Sequence, residues 1–265
     1  MLFDIRGRRK RVIQVVYAGL ALLMALSLLT VVGPVSLDGL LGSSSTSSTT
    51  SAFDDQVEQL QRKLAKSPND EVLLVQMTRA RFNAGNAKVE RDPASSQITG
   101  IPEEAATEFE EAGESWQRYL KTNPEKPNAI AAQLAAQSLL YAASTSSAAA
   151  FGDNIEAAAE AQAVYAEAKP SVNSYLTLAQ YSFYAGDAAA AEEAGRKAET
   201  EAPKAQRPAV KQTVVQFRKQ GQQIQKQVKA ASEFQPGAGG EQALQNPLGG
   251  LSGGGTGSST GVPAP

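Results

Sequence analysis

From Val12 to Val32 the chain carries no charged residue and is mostly aliphatic, with Gln14, Ser27 and Thr30 as polar exceptions. A helix of that length spans about 30 Å, the thickness of a bilayer's hydrocarbon core. Arg6, Arg8, Arg9, Lys10 and Arg11 precede the run, whereas only Asp38 follows it before a long neutral stretch. The positive-inside rule keeps residues 1–11 in the cytoplasm and sends everything after Gly33 across. The rival reading is a cleaved signal peptide, whose apolar region is shorter, about 7–15 residues, and ends in small residues. Val31-Val32-Gly33-Pro34-Val35-Ser36 is a poor cleavage site, so segment 12–33 is read as a retained signal anchor. The expectation is a single-pass protein of the cell membrane whose bulk is extracytoplasmic.

Two further segments lack the apolar surface a core needs. Residues 34–52 are rich in Ser, Thr and Gly, and GSSSTSSTTS at 42–51 reads as a flexible tether that also permits O-glycosylation. Residues 233–265 are rich in Gly and Pro, and this composition predicts a disordered tail. Leu244, Leu248 and Leu251 leave open a short partner-binding motif there.

What remains, 53–232, is where the chain can fold. Hydrophobic residues make up 42% of the sequence but aromatics only 6%, and Ala dominates stretches such as Ala157 to Ala168, which favours close-packed helices over a sheet. The net charge of -2 gives no global basic field for nucleic acid. Cys and His are both absent, which removes disulfides, thiolate or imidazole metal ligands and every Cys/His or Ser/His pair. No EF-hand spacing and no phosphate-binding glycine loop ahead of a helix occurs in the body. The expectation is a non-enzyme without cofactor or metal. Glu103, Glu104, Glu108, Glu110, Glu111 and Glu114 read as a solvated helix face near an N-terminus.

Within 53–205, prolines recur at the close of helical stretches. The clearest unit is Val172 to Ala205, thirty-four residues long. Tyr175, Leu178 and Ala179 pattern its first helix, Gly186-Asp187 breaks it, Ala191, Gly195 and Ala198 stripe a second helix, and Pro203 ends that. Small residues at 179, 191 and 198 let two antiparallel helices approach closely, while Tyr175 and Leu178 fill the space between successive pairs. Earlier segments repeat parts of this spacing. Val57, Leu60 and Leu64 close on Pro68; Leu74, Met77, Thr78, Phe82 and Gly85 follow; Ala112, Trp116 and Tyr119 close on Pro124; Ala158, Gln162 and Tyr165 close on Pro170. The polar stretch Ala87 to Pro102 and the Ser/Ala-rich stretch Ser144 to Asn154 read as insertions that lengthen turns.

This spacing resembles the tetratricopeptide repeat, with Ser182 standing where tyrosine is usual and Gly195 and Gln162 where a large aromatic is usual. The resemblance implies an all-α, degenerate helical solenoid with a concave groove lined by the first helix of each pair, used to bind a peptide or partner protein. On the repeat's phase that groove includes Val75, Arg79, Phe82, Asn83, Gln180, Phe183 and Tyr184, with Phe82 and Phe183 equally suited to internal packing. The architecture is similar to single-span tetratricopeptide proteins of bacterial membranes that sit beside the Sec translocon. The rival is a structural cell-envelope factor organising wall or division assemblies.

One more helix is expected over 206–232, with Val210, Val214, Phe217, Gly221, Ile224 and Val228 in a narrow apolar stripe. Such a helix suits the end of a solenoid, where the outer face must be polar. A coiled-coil dimer seam is the alternative. Lys204, Arg207, Lys211, Arg218, Lys219, Lys226 and Lys229 make this region locally basic, a solvated face or a grip for anionic headgroups or an acidic partner.

Overall fold

A computed structural model describes residues 46–93 and 95–233. The segments read as a cytoplasmic N-terminus at 1–11 and an anchor at 12–33, with linker residues 34–45 and residues 234–265 of the expected tail, lie outside the described residues. From Thr46 onward the elements are α1 (Thr46–Leu64), α2 (Glu71–Lys88), β1 (Glu90–Arg91), β2 (Ile98–Gly100), α3 (Glu103–Lys121), α4 (Ala129–Thr145), α5 (Ala148–Ala168), α6 (Val172–Ala185), α7 (Ala188–Glu201) and α8 (Arg207–Glu233). The fold is thus all-α apart from one small hairpin. Among the described residues no helix is long and apolar enough to cross a membrane.

Local chemistry sets the helix boundaries. Asp70 accepts a hydrogen bond from the Leu73 amide, Asn128 from Ala131 and Asp187 from Ala190, at 2.9–3.0 Å. Each satisfies a first-turn N–H that has no partner inside its helix. Ser171 and Ser174 cap one another reciprocally at the start of α6. Pro68, Pro124, Pro170 and Pro203 all follow the ends of α1, α3, α5 and α7 within four residues. Gly186, at φ 86°, takes the left-handed conformation that ends α6, and Asp187 caps α7 immediately after it.

Each helix packs against the next along the chain, and α2 also touches α4 while α8 lies on α6, α7 and part of α5. Pair directions follow from side-chain contacts. The Arg118 guanidinium near the end of α3 donates to the Pro68 carbonyl just before α2, at 3.0 Å, while Arg81 in the second half of α2 reaches Glu108 near the start of α3. Phe109 at the start of α3 meets Tyr141 at the end of α4, with ring centroids 4.9 Å apart. Helices α2 and α3 are therefore antiparallel, as are α3 and α4, and α2 and α4 run parallel. At the other end, Val210 packs with Val172 and Tyr175 while Gln225 lies against Gly186, so α6 and α8 also run parallel.

The core is built largely of alanine. Ala131, Ala132, Ala135 and Ala136 on α4 and Ala158 and Ala161 on α5 are fully buried, around the larger Trp116, Phe151, Leu74 and Ile155. Leu74, Met77, Trp116, Tyr119, Ala179, Ala191 and Ala198 are buried where repeat packing is expected. Tyr175 is half-buried against Ala198, Ala202 and Val210.

Several expectations are corrected. Leu178 is only half-buried, and the space between α5, α6 and α8 is filled instead by Tyr181 and Tyr184. Pro203 is exposed and marks a helix end without packing. Helix α1 begins at Thr46, inside the stretch read as tether, since Ser and Thr cost a helix only about 0.5 kcal/mol each and continue into an amphipathic run. Ser144 to Asn154 is no long insertion: α4 and α5 are separated by residues 146–147 alone, and Phe151, fully buried, belongs to the core. The Ala87 to Pro102 insertion folds as the antiparallel β1–β2 hairpin, whose Ile98 and Ile101 help cover a second core of Val89, Ala105, Phe109 and Ala142. Gln162 replaces aromatic packing with a buried hydrogen bond to the Ser174 carbonyl, at 3.0 Å.

Burial of the tyrosines has a pH consequence. Burial, reinforced by Tyr141 and Tyr184, pushes the Tyr181 phenol well above its ordinary value, and burial raises Tyr184 against an opposing hydrogen bond from Gln180. Burial alone would lower the Lys88 ammonium, but its bonds to Glu108 and Asp54 outweigh this and hold it above its ordinary value. Below about pH 10 these contributions are fully present and do not vary with pH; above it, the unfolded chain releases phenolic protons that the folded chain keeps, and the stabilisation from Lys88 is lost as the pH rises through its raised pKa. Urea unfolding midpoints are expected to fall from about pH 10 upward, with part of the phenolate absorbance appearing only on unfolding. A midpoint independent of alkaline pH would contradict this burial.

Candidate protein-binding face

The neighbours α1, α3 and α4 leave one stripe of α2 uncovered: Val72, Gln76, Arg79 and Asn83, spaced four, three and four residues apart. Val72 is 65% exposed, a large apolar side chain left in water. On α4, parallel to α2 and in contact with it, Ile130 is 53% exposed at the same end of the pair, and Gln133 and Gln137 follow along that helix half-buried. These two helices carry an amide-rich surface with a single cation, Arg79, and two exposed aliphatic side chains. Amides donate and accept at once, which suits the backbone of an extended peptide, and the aliphatic pair suits an apolar side chain.

The seven residues expected in the groove fall into different places. Arg79 and Asn83 are exposed on the α2 stripe. Val75 is half-buried and packs on the main core. Phe82 is drawn into the hairpin core against Phe109, with centroids 6.1 Å apart. Phe183 is buried beneath α8, in contact with Ala191 and Val214, and Tyr184 is buried with its hydroxyl between Gln180 and Gln220. Gln180 is thereby engaged at 2.8 Å. The α6 members are corrected from groove to packing because α8 lies on them; the α2 members are split between surface and core. Sequence reasoning missed Val72 and Ile130, whose position in the first turn of two parallel helices was the available signal.

The acidic run is also corrected in part. Glu103, Glu104, Glu110 and Glu114 are exposed, but Glu108 is buried. One Glu108 oxygen accepts from Lys88 Nζ at 2.8 Å and the other from Arg81 Nη1 at 2.7 Å. Arg81 also pairs with Glu111, and Lys88 with Asp54 of α1 at 3.0 Å. Each oxygen of the carboxylate thus accepts from one cation of α2, so Glu108 joins α3 to that helix. Among the described residues no group of three or more acidic side chains is placed to hold a metal ion. An open depression beside α6 and α7 is lined by Tyr175, Glu193, Arg196, Lys197, Thr200 and Glu201, and Lys197 there is already paired with Glu193 at 3.1 Å.

The basic last helix is built inward by its stripe. Val210, Val214, Gly221 and Ile224 are buried, and Phe217 and Val228 are half-buried. The seam read as a possible dimer contact is occupied within the chain. Comparison of the chain with protein-family models, curated proteins and solved structures finds no match.

Proposed function

We propose that the chain is a membrane-tethered extracytoplasmic scaffold that binds a protein or peptide, built as a degenerate tetratricopeptide-like solenoid. The observation that carries this is the parallel pair α2 and α4, side by side on α3, with Val72, Arg79, Asn83 and Ile130 left in water. Support for the repeat reading comes from the succession of antiparallel neighbours, from prolines after every second helix, and from polar outer faces on both α1 and α8, which a solenoid needs at its ends. Support for the tether comes from residues 12–33 and the basic cluster before them. In this reading the partner is a polypeptide emerging near the Sec translocon, captured through its backbone and an apolar side chain.

Photo-crosslinking from position 79 or 130 of the full chain in native membranes tests it. Adducts with translocon components and nascent chains are expected from those positions and not from Lys66, in the turn between α1 and α2. Adducts dominated by wall-synthesis or division proteins would replace this reading with that of a structural envelope factor. Equal labelling from position 66 would show that the face has no preference for a partner.

A further inference from the structure

We propose that the outer face of α8 docks on an anionic lipid bilayer, so that the domain rests against the membrane to which it is tied; this rests on the membrane-tethered reading above. Helix α8 is 27 residues long, which makes it about 40 Å from end to end. Arg207, Lys211, Arg218, Lys219, Lys226 and Lys229 lie on it, with no acidic residue between Arg207 and Ser232. Helix α6 contains no charged residue, and α7 contributes Glu192 and Glu199, which pair with Arg218 and Lys211 respectively.

Opposite the buried stripe runs a second one, Val215, Lys219, Gln222 and Lys226, spaced four, three and four residues apart and exposed throughout. Lys219 and Lys226 make no ion pair among the described residues, and Val215 is 41% exposed between them and the helix start. An apolar side chain beside two ammonium groups that make no ion pair among the described residues, on a helix without an acidic residue before Glu233, is complementary to a negatively charged headgroup layer. A neutral lipid surface offers these ammonium groups no counter-charge.

Magnitude decides how such a face works. Each lysine near an anionic surface strengthens association only about fivefold, so two of them cannot hold a freely diffusing protein. The tether changes this: on the reading above only residues 34–45 separate the anchor from α1, and so short a connection gives a local concentration in about the millimolar range. Docking is therefore a property of the tethered chain, and it falls with salt.

The absence of cysteine makes a direct test available. Val215→Cys introduces the sole thiol, which is labelled with an environment-sensitive fluorophore in the full chain, reconstituted into nanodiscs. Discs of phosphatidylcholine alone are compared with discs containing phosphatidylglycerol. A blue-shifted emission is expected in the anionic discs only, abolished by about 0.5 M salt, where screening leaves only a few ångströms of reach. Lys219→Gln with Lys226→Gln should abolish it as well. Identical emission in both disc types, from chain that co-elutes with the discs, would overturn the docking proposal and leave the tether standing. Chain that leaves the discs altogether would overturn the tether, and docking with it.

Discussion

Glu108→Ala is expected to destabilise the domain by about 3 kcal/mol, the lower end of what breaking a buried ion pair costs. The side chains of Glu108, Arg81 and Lys88 are 10%, 11% and 16% exposed, so water can do little to replace the lost carboxylate. Glu111 still holds Arg81 and Asp54 still holds Lys88, which keeps the loss from reaching the upper end near 5 kcal/mol. Arg62→Ala provides the contrast. Its partner Glu58 lies four residues before it on the same helix, with both side chains more than 60% exposed, and such pairs contribute about 0.3–0.5 kcal/mol. Urea unfolding of both variants separates the cases: equal midpoints would mean that the Glu108 cluster is as solvated as the surface pair. The cluster also bears on the proposed scaffold, because it fastens α1 to the helices that carry the proposed binding face.

Why the sequence concealed Glu108 is instructive. A run of glutamates on a helix is ordinarily a solvated face, and only the partners twenty and twenty-seven residues earlier, Lys88 and Arg81, make one of them a core residue. Nothing in local spacing reports a partner across an insertion. The same limit explains Phe82 and Phe183. Their helical phase was legible, but which side of the helix would be covered was not, since Phe109 reaches Phe82 from beyond the hairpin and α8 reaches Phe183 from beyond α7. What could be read locally was read well: the prolines after α1, α3, α5 and α7, the Gly186 break, and the apolar stripe of α8 all follow from backbone chemistry within a few residues. Where composition stood in for pattern, as at 144–154, it misled. Alanine is the best helix former, and Phe151 and Ile155, one turn apart, already mark a buried face.

The inward seating of α8 makes a prediction in which intrinsic propensity and packing oppose one another. Gly221 and Gly152 both lie within helices, where replacement by alanine is ordinarily favourable by up to about 1 kcal/mol. A methyl group at Gly152 meets nothing within 4 Å, so Gly152→Ala is expected to stabilise by that amount. At Gly221 the added Cβ would lie 2.5 Å from the Phe183 carbonyl oxygen and 2.8 Å from its carbonyl carbon. Backbone cannot yield as a flexible side chain can, so α8 must lift from α6 and take Val214 and Ile224 partly out of contact. The overpacking cost, about 1–3 kcal/mol, then competes with the propensity gain, and its upper end applies because the obstacle is main chain. Gly221→Ala is accordingly expected to lose about 2 kcal/mol net, measured by urea unfolding of the full chain beside Gly152→Ala. Were the two variants stabilised alike, α8 would not be seated on α6, and the buried stripe would again be free to meet a second copy of the chain.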